Sequence, residues 1–170
     1  MRRFLIRVWL PTIFCLIPIV AAALVALATP PAARRFYLLR IRESYMDWLI
    51  LGLGTSLFVA QIALCWKALR WHAGGFDERT NWWIATCAQA AEWFPMLGLI
   101  GTVGGILQTF SQVTGQMPPE QIIRLYAPAI TATGSGLFMA FINILPVWIV
   151  NIGRRLIAGM IDVPAPAAPE

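Results

Sequence analysis

The sequence predicts an all-α integral membrane protein with four transmembrane helices, or three if the first is a cleaved signal. Three observations carry this prediction. Hydrophobic residues make up 59% of the 170-residue chain and charged residues 12%, with a mean hydropathy of +0.70, whereas a soluble domain has about 25% charged residues. The apolar residues fall into four runs, each close to or above the roughly 20 residues that a spanning helix needs. Trp9, Trp48, Trp66 and Trp93, four of the eight tryptophans, stand at the edges of those runs, where indole rings favour the membrane–water interface. The length suits one domain.

Residues 1–33 form the first unit. Arg2, Arg3 and Arg7 precede a charge-free run from Val8 to Ala33. Pro11 suits a first helical turn and Pro18 would kink the helix. Basic residues, an apolar core and Ala26-Leu27-Ala28 also fit a signal anchor or a cleaved secretory signal. The apolar core exceeds the 7–15 residues of such signals, which favours a retained helix. Pro30 and Pro31 end the run. Residues 34–47 mix Arg34, Arg35, Arg40, Arg42, Glu43 and Asp47 with Phe36, Tyr37, Leu38, Leu39 and Tyr45, the composition of a short amphipathic interfacial helix.

The second span covers 48–66, bounded by Asp47 and Lys67, with Gln61 as its one strongly polar interior group. Residues 67–92 form a short connection broken at Gly74-Gly75. Asp77 is placed to cap a helix there, with Glu78 in its first turn, where the helix dipole favours acids. The third span covers Trp93–Ser111, and Pro95 near its start would bend the chain at the membrane surface. Gly115, Pro118 and Pro119 mark a loop. The fourth span runs from about Tyr126 to Val150. The tail, 152–170, ends in IDVPAPAAPE, a composition that favours disorder.

The net charge of +5 comes from twelve arginines and one lysine that flank the apolar runs. They read as membrane anchors, not as a nucleic-acid patch. With both termini cytoplasmic, the inner segments hold Arg2, Arg3, Arg7, Lys67, Arg70, Arg79, Arg154 and Arg155. The outer ones hold Arg34, Arg35, Arg40, Arg42 and Arg124. The excess of positive charge inside supports that topology, although the Arg-rich first loop works against it. Cys15, Cys65 and Cys87 have no metal-ligand spacing and read as small packing residues. His72 is a lone interfacial residue. No Ser-His-Asp set, phosphate loop or carboxylate pair can be assembled, so the sequence predicts no enzyme, no cofactor and no metal.

The informative stretch is Trp93–Phe110, WFPMLGLIGTVGGILQTF. Gly98, Gly101, Gly104 and Gly105 remove side chains, and Gly101 and Gly105 have the GxxxG spacing that lets membrane helices approach closely. On a helix, Thr102, Gly105, Thr109 and Gln112 share one side. In the fourth span Thr133, Gly136, Ala140 and Asn143 do the same, with Thr131 and Ser135 nearby. Joined by a short loop, these two spans must be antiparallel neighbours. Two readings follow from the spacing. Small residues permit close packing while threonine hydroxyls bond to backbone, or the two stripes form a polar seam along which a small ion moves.

Pro95–Ile106, PMLGLIGTVGGI, resembles the LGL-x-GTV-x-GI signature of the MotA/TolQ/ExbB proton channel family. Ala127-Pro128, then Thr133-x-x-Gly136-Leu137-x-x-Ala140 and Pro146, resembles that family's last membrane helix. The likeness covers Ala91–Asn151, so the pair at 93–151 is the family core. It implies a multi-pass subunit of a bacterial inner-membrane stator complex, assembled as a pentamer in the lipid bilayer. Such a pentamer surrounds two ExbD/TolR/MotB-like single-span partner helices that carry a protonatable aspartate. Proton flow would be coupled to motion of that partner.

Carried over by position, Thr102 and Thr133 match the two motif threonines of an ion pathway that Thr109 and Asn143 extend. Gly98, Gly101, Gly105 and Gly136 serve helix packing. The chain departs from the family's pattern in three respects. The ExbB/TolQ branch has a glutamate in the last span, whereas here no acid lies between Pro128 and Pro146. The distance from Ala127-Pro128 to Thr133 is one turn short. The connection Lys67–Ala91 is small for a flagellar torque unit. With no charge expected inside any span, a small-substrate transporter is disfavoured, and any protonation switch is expected from the partner's acid. Glu92, at the cytoplasmic mouth, is expected to position a helix end. The alternative is a non-conducting membrane scaffold or assembly protein with the same helical core.

Overall fold

The computed structural model describes residues 9–42, 44–70, 77–112 and 118–161, and the described residues contain helices and no strand. The six helices are α1 (Leu10–Ala28), α2 (Pro31–Ile41), α3 (Tyr45–Leu69), α4 (Glu78–Ala91), α5 (Trp93–Gln112) and α6 (Pro119–Ile161). Four stretches are long and apolar enough to cross a membrane: Leu10–Ala28, Tyr45–Leu69, Glu78–Ser111 and Leu125–Gly159. The chain is a multi-pass α-helical membrane protein. The basic N-terminus, His72, the Gly74-Gly75 break, the loop at Gly115 and the tail after Ile161 lie outside the described residues.

Proline and cap chemistry set the helix ends. Pro11 and Pro31 stand in the first turns of α1 and α2, where a missing N–H costs nothing. Ser44 caps α3, its hydroxyl accepting from the Asp47 backbone N–H at 3.3 Å. Asp77 caps α4 as its sequence context suggests, accepting from the N–H groups of Arg79 and Thr80. The break between α4 and α5 falls at Glu92. Pro95 explains it, because a proline has no N–H for the carbonyl four residues earlier, at Ala91.

The long helix α6 is the centre of the bundle and packs against all five others. Half of its membrane-crossing stretch is buried, against 17–22% in the other three. At about 1.5 Å per residue its 43 residues extend well past a hydrocarbon core of about 30 Å. Its far end joins α3 and α4 in one apolar cluster, where Cys65, Leu69, Ile84, Val150 and Ile157 meet Cys15 of α1. Arg154 pairs there with Glu78. Lipid tails are as apolar as leucine, so little hydrophobic force holds spans together, and close backbone approach and polar contacts must do so.

Candidate functional site

Helices α5 and α6 form the most extensive interface in the molecule. They run antiparallel: Gly98 lies against Gly136, Gly105 against Ala129, and Thr109 bonds to the Leu125 carbonyl. Glycine is required at this crossing. A Cβ on Gly136 would stand 2.5 Å from the Phe94 carbonyl oxygen, and one on Gly98 would stand 2.9 Å from that of Ala132. At Gly101 and Gly105 an added Cβ would meet the Cβ of Ala132 and of Ala129 at 2.6 and 2.9 Å. All four glycines expected to serve packing therefore face α6 or α5 of the same chain. Gly104 faces open space.

This close approach brings two hydroxyls together. Thr102 Oγ1 and Thr133 Oγ1 are hydrogen-bonded across the crossing. Thr102 Oγ1 also lies 3.0 Å from the Gly98 carbonyl and 3.1 Å from that of Ala129. A hydroxyl has one proton and two lone pairs, so one threonine donates to the other, and the accepting one gives its own proton to a backbone carbonyl. Both are half-buried, at the edge of the interface. Thr109 is buried and donates to Gly105 or Leu125, whose carbonyls lie at 2.8 and 3.0 Å. The hydroxyls thus line one neutral seam, each with a carbonyl partner on its own helix.

Asn143 is not part of that seam. Its Nδ2 donates to the Gly54 carbonyl of α3 at 3.2 Å and to Met139 at 2.8 Å. Ten residues make about 2.8 turns, so a stripe from Thr133 to Asn143 drifts roughly 80° around the helix and onto another neighbour. The side chain of Gln112 lies outside the described residues.

A second polar cluster sits between α3 and α6, and the sequence reading missed it. Asp47 lies in the first turn of α3 and is wholly buried. Thr131 donates to its Oδ2 at 2.8 Å and Ser135 donates to its Oδ1. Tyr37 of α2 shares a hydrogen bond with Ser135. Burial pushes the Tyr37 phenol above its ordinary range; the Ser135 bond opposes this, and the nearby Asp47 charge adds to it. Asp47 takes part in neither ion pair found among the described residues. The expectation that no span carries a charge is thus corrected, since the carboxylate is inside the bundle. The local signal was Ser44-x-x-Asp47, a capping-box spacing before an apolar run. It moves the helix start ahead of Asp47.

The family model for the MotA/TolQ/ExbB proton channel family matches residues 60–160. That is more than half of the chain, from the later turns of α3 through α4, α5 and α6. The chain belongs to this family, whose members are subunits of proton-channel-type membrane complexes and work with membrane partner proteins in oligomers. No curated protein and no solved structure matches the chain.

Proposed function

We propose that this chain is the scaffold subunit of an inner-membrane stator that couples proton flow to motion of a single-span partner. The carrying observation is the Thr102–Thr133 pair, set at the glycine-lined α5–α6 crossing and half-open at its edge. Two hydroxyls there can hold water, or accept and return a proton at a partner's carboxyl group. Five copies around the partner would turn this edge inward. The exposed apolar side chains of α5, Leu99, Ile100, Val103, Leu107 and Phe110, would then face neighbouring copies or lipid. A unit charge crossing 100 mV releases about 2.3 kcal/mol, enough to bias a conformational step. The chain carries no enzymatic activity in this reading.

The test is proton flux in liposomes holding this protein with and without a single-span, aspartate-bearing membrane protein of the ExbD/TolR/MotB type. Flux is expected only with the partner. Thr102→Val and Thr133→Val keep the side-chain shape and should abolish that flux while leaving oligomer size, read by native mass spectrometry, unchanged. Wild-type flux in both variants would reject the pathway. It would leave the non-conducting scaffold, a reading that the carbonyl partners of these hydroxyls also fit.

A further inference from the structure

A wholly buried carboxylate in a membrane-crossing bundle is costly unless it is paired or functional. Among the described residues Asp47 has no basic partner, and its bonding groups are hydroxyls of three kinds: Thr131, Ser135 and, through Ser135, Tyr37. Hydroxyls differ from guanidinium or ammonium groups in one decisive respect. They donate to a carboxylate and, after rotating about the C–O bond, accept from a carboxylic acid. Both charge states of Asp47 can therefore be hydrogen-bonded without moving a helix. A site meant only to hold a fixed negative charge would have a cation; a site meant only to hold a neutral group needs no acid.

We propose that Asp47, with Ser135, Thr131 and Tyr37, is a proton-binding site belonging to this chain itself, separate from the Thr102–Thr133 pair. The two sites lie on different faces of α6: Thr102 is on α5 and Asp47 on α3. Tyr37 and Thr131 both line a largely apolar cavity of about 510 Å³ bounded by α1, α2, α3 and α6, on which the Tyr37 hydroxyl is the outermost group of the chain leading to Asp47 in this proposal. A proton arriving at the Tyr37 hydroxyl passes along Ser135 to a carboxylate oxygen by exchange of hydrogen bonds. The anion is favoured by the two direct hydroxyl donors and by the N-terminal end of the α3 dipole.

Helix α2 brings Tyr37 and Arg34, which line the same cavity. Helix α5, and α6 between Pro128 and Pro146, bring none, and α1 brings Cys15, which packs beside Cys65 at the opposite end of the bundle. The one acid and one base of α4, Glu78 and Arg79, stand in its first turn at that opposite end, where Glu78 meets Arg154. The oxygens of Asp47, Thr131, Ser135 and Tyr37 are hydrogen-bonded directly to one another, an arrangement that suits a proton better than a sodium ion.

The experiment is infrared pH titration of the purified protein in lipid nanodiscs, without any partner. The chain has eight acidic residues, so the difference between wild type and Asp47→Asn isolates one carboxyl. A pH-dependent carboxylic-acid band present in wild type and lost in Asp47→Asn is expected. Ser135→Ala removes one of the two direct donors to the carboxylate, so it should keep the band and change the pH range over which it appears. This second variant decides the matter if Asp47→Asn does not fold. A band that is identical in wild type and Asp47→Asn at every pH, or a midpoint unmoved by Ser135→Ala, would overturn the proposal. So would displacement of the band by sodium at constant pH. None of these readouts depends on flux or on the partner, so they stand apart from the Thr→Val test.

Discussion

Helix α6 presents two polar faces, and they are built in different ways. Toward α5 it offers glycine, alanine and threonine, and the polarity is neutral: hydroxyls and carbonyls brought together by close backbone approach. Toward α3 it offers Thr131, Ser135 and Asn143, and the polarity centres on a buried acid and buried amides. The first interface depends on the absence of side chains. The second depends on their presence. The difference teaches that a polar stripe in a membrane helix has no single meaning. What it does is set by the size and charge of the group that meets it.

The largest expected effect breaks the first interface. Gly136→Leu places carbons on the Phe94 carbonyl and on Gly98, where backbone cannot give way. It should lower stability by about 3 kcal/mol, in line with severe overpacking, measured by detergent-induced unfolding with tryptophan fluorescence. Gly101→Leu belongs to the same class, because Gly101 meets Ala132 of its own chain. Gly104→Leu is the matched control. Its Cβ meets nothing within the chain, so the fold should survive, and any change should appear in oligomer size alone. Equal losses in Gly136→Leu and Gly104→Leu would mean that glycine acts through helix propensity and not through the crossing.

A smaller effect sharpens the account of the second interface. Gln61 of α3 is wholly buried and neither amide atom has a hydrogen-bond partner among the described residues. An unpaired buried amide costs about 1–3 kcal/mol, and methionine has nearly the same shape. Gln61→Met should therefore stabilise the protein by about 1 kcal/mol in the same unfolding assay. A loss of stability would show that Gln61 has a partner supplied by the assembled complex, and would add it to the polar face of α3.

The smallest effect lies outside both interfaces. The Thr80 hydroxyl holds Asp77 below the ordinary carboxylate range, helped by the Thr80 and Arg79 N–H groups and by Lys67. A lowered folded-state value means that the cap's contribution is present above the ordinary aspartate value of 3.8 and is lost as pH falls through the lowered one. Hydrogen exchange at the first amides of α4 should be constant from neutral pH down to that point and then rise, after correction for intrinsic rates. Asp77→Asn should remove the inflection and leave both α6 interfaces intact.

The sequence by itself determined the class, the four apolar stretches, the Asp77 cap and the pairing of the last two spans. These are legible because they rest on composition, on length against membrane thickness and on residues close together in the chain. It also put Thr102 and Thr133 on facing helices, since a short loop leaves two spans no choice but to be neighbours. Only the tertiary structure decided which α6 groups meet which helix. Asn143 follows the threonines in the sequence pattern yet turns to α3, because the helical period drifts over ten residues. Asp47 looked like the edge of a span because it is charged. It became interior because α2 folds back and brings Tyr37 to Ser135 beside it, while α6 supplies two hydroxyls from more than eighty residues away. Burial of a charge is a property of its neighbours, and no window along the chain contains them.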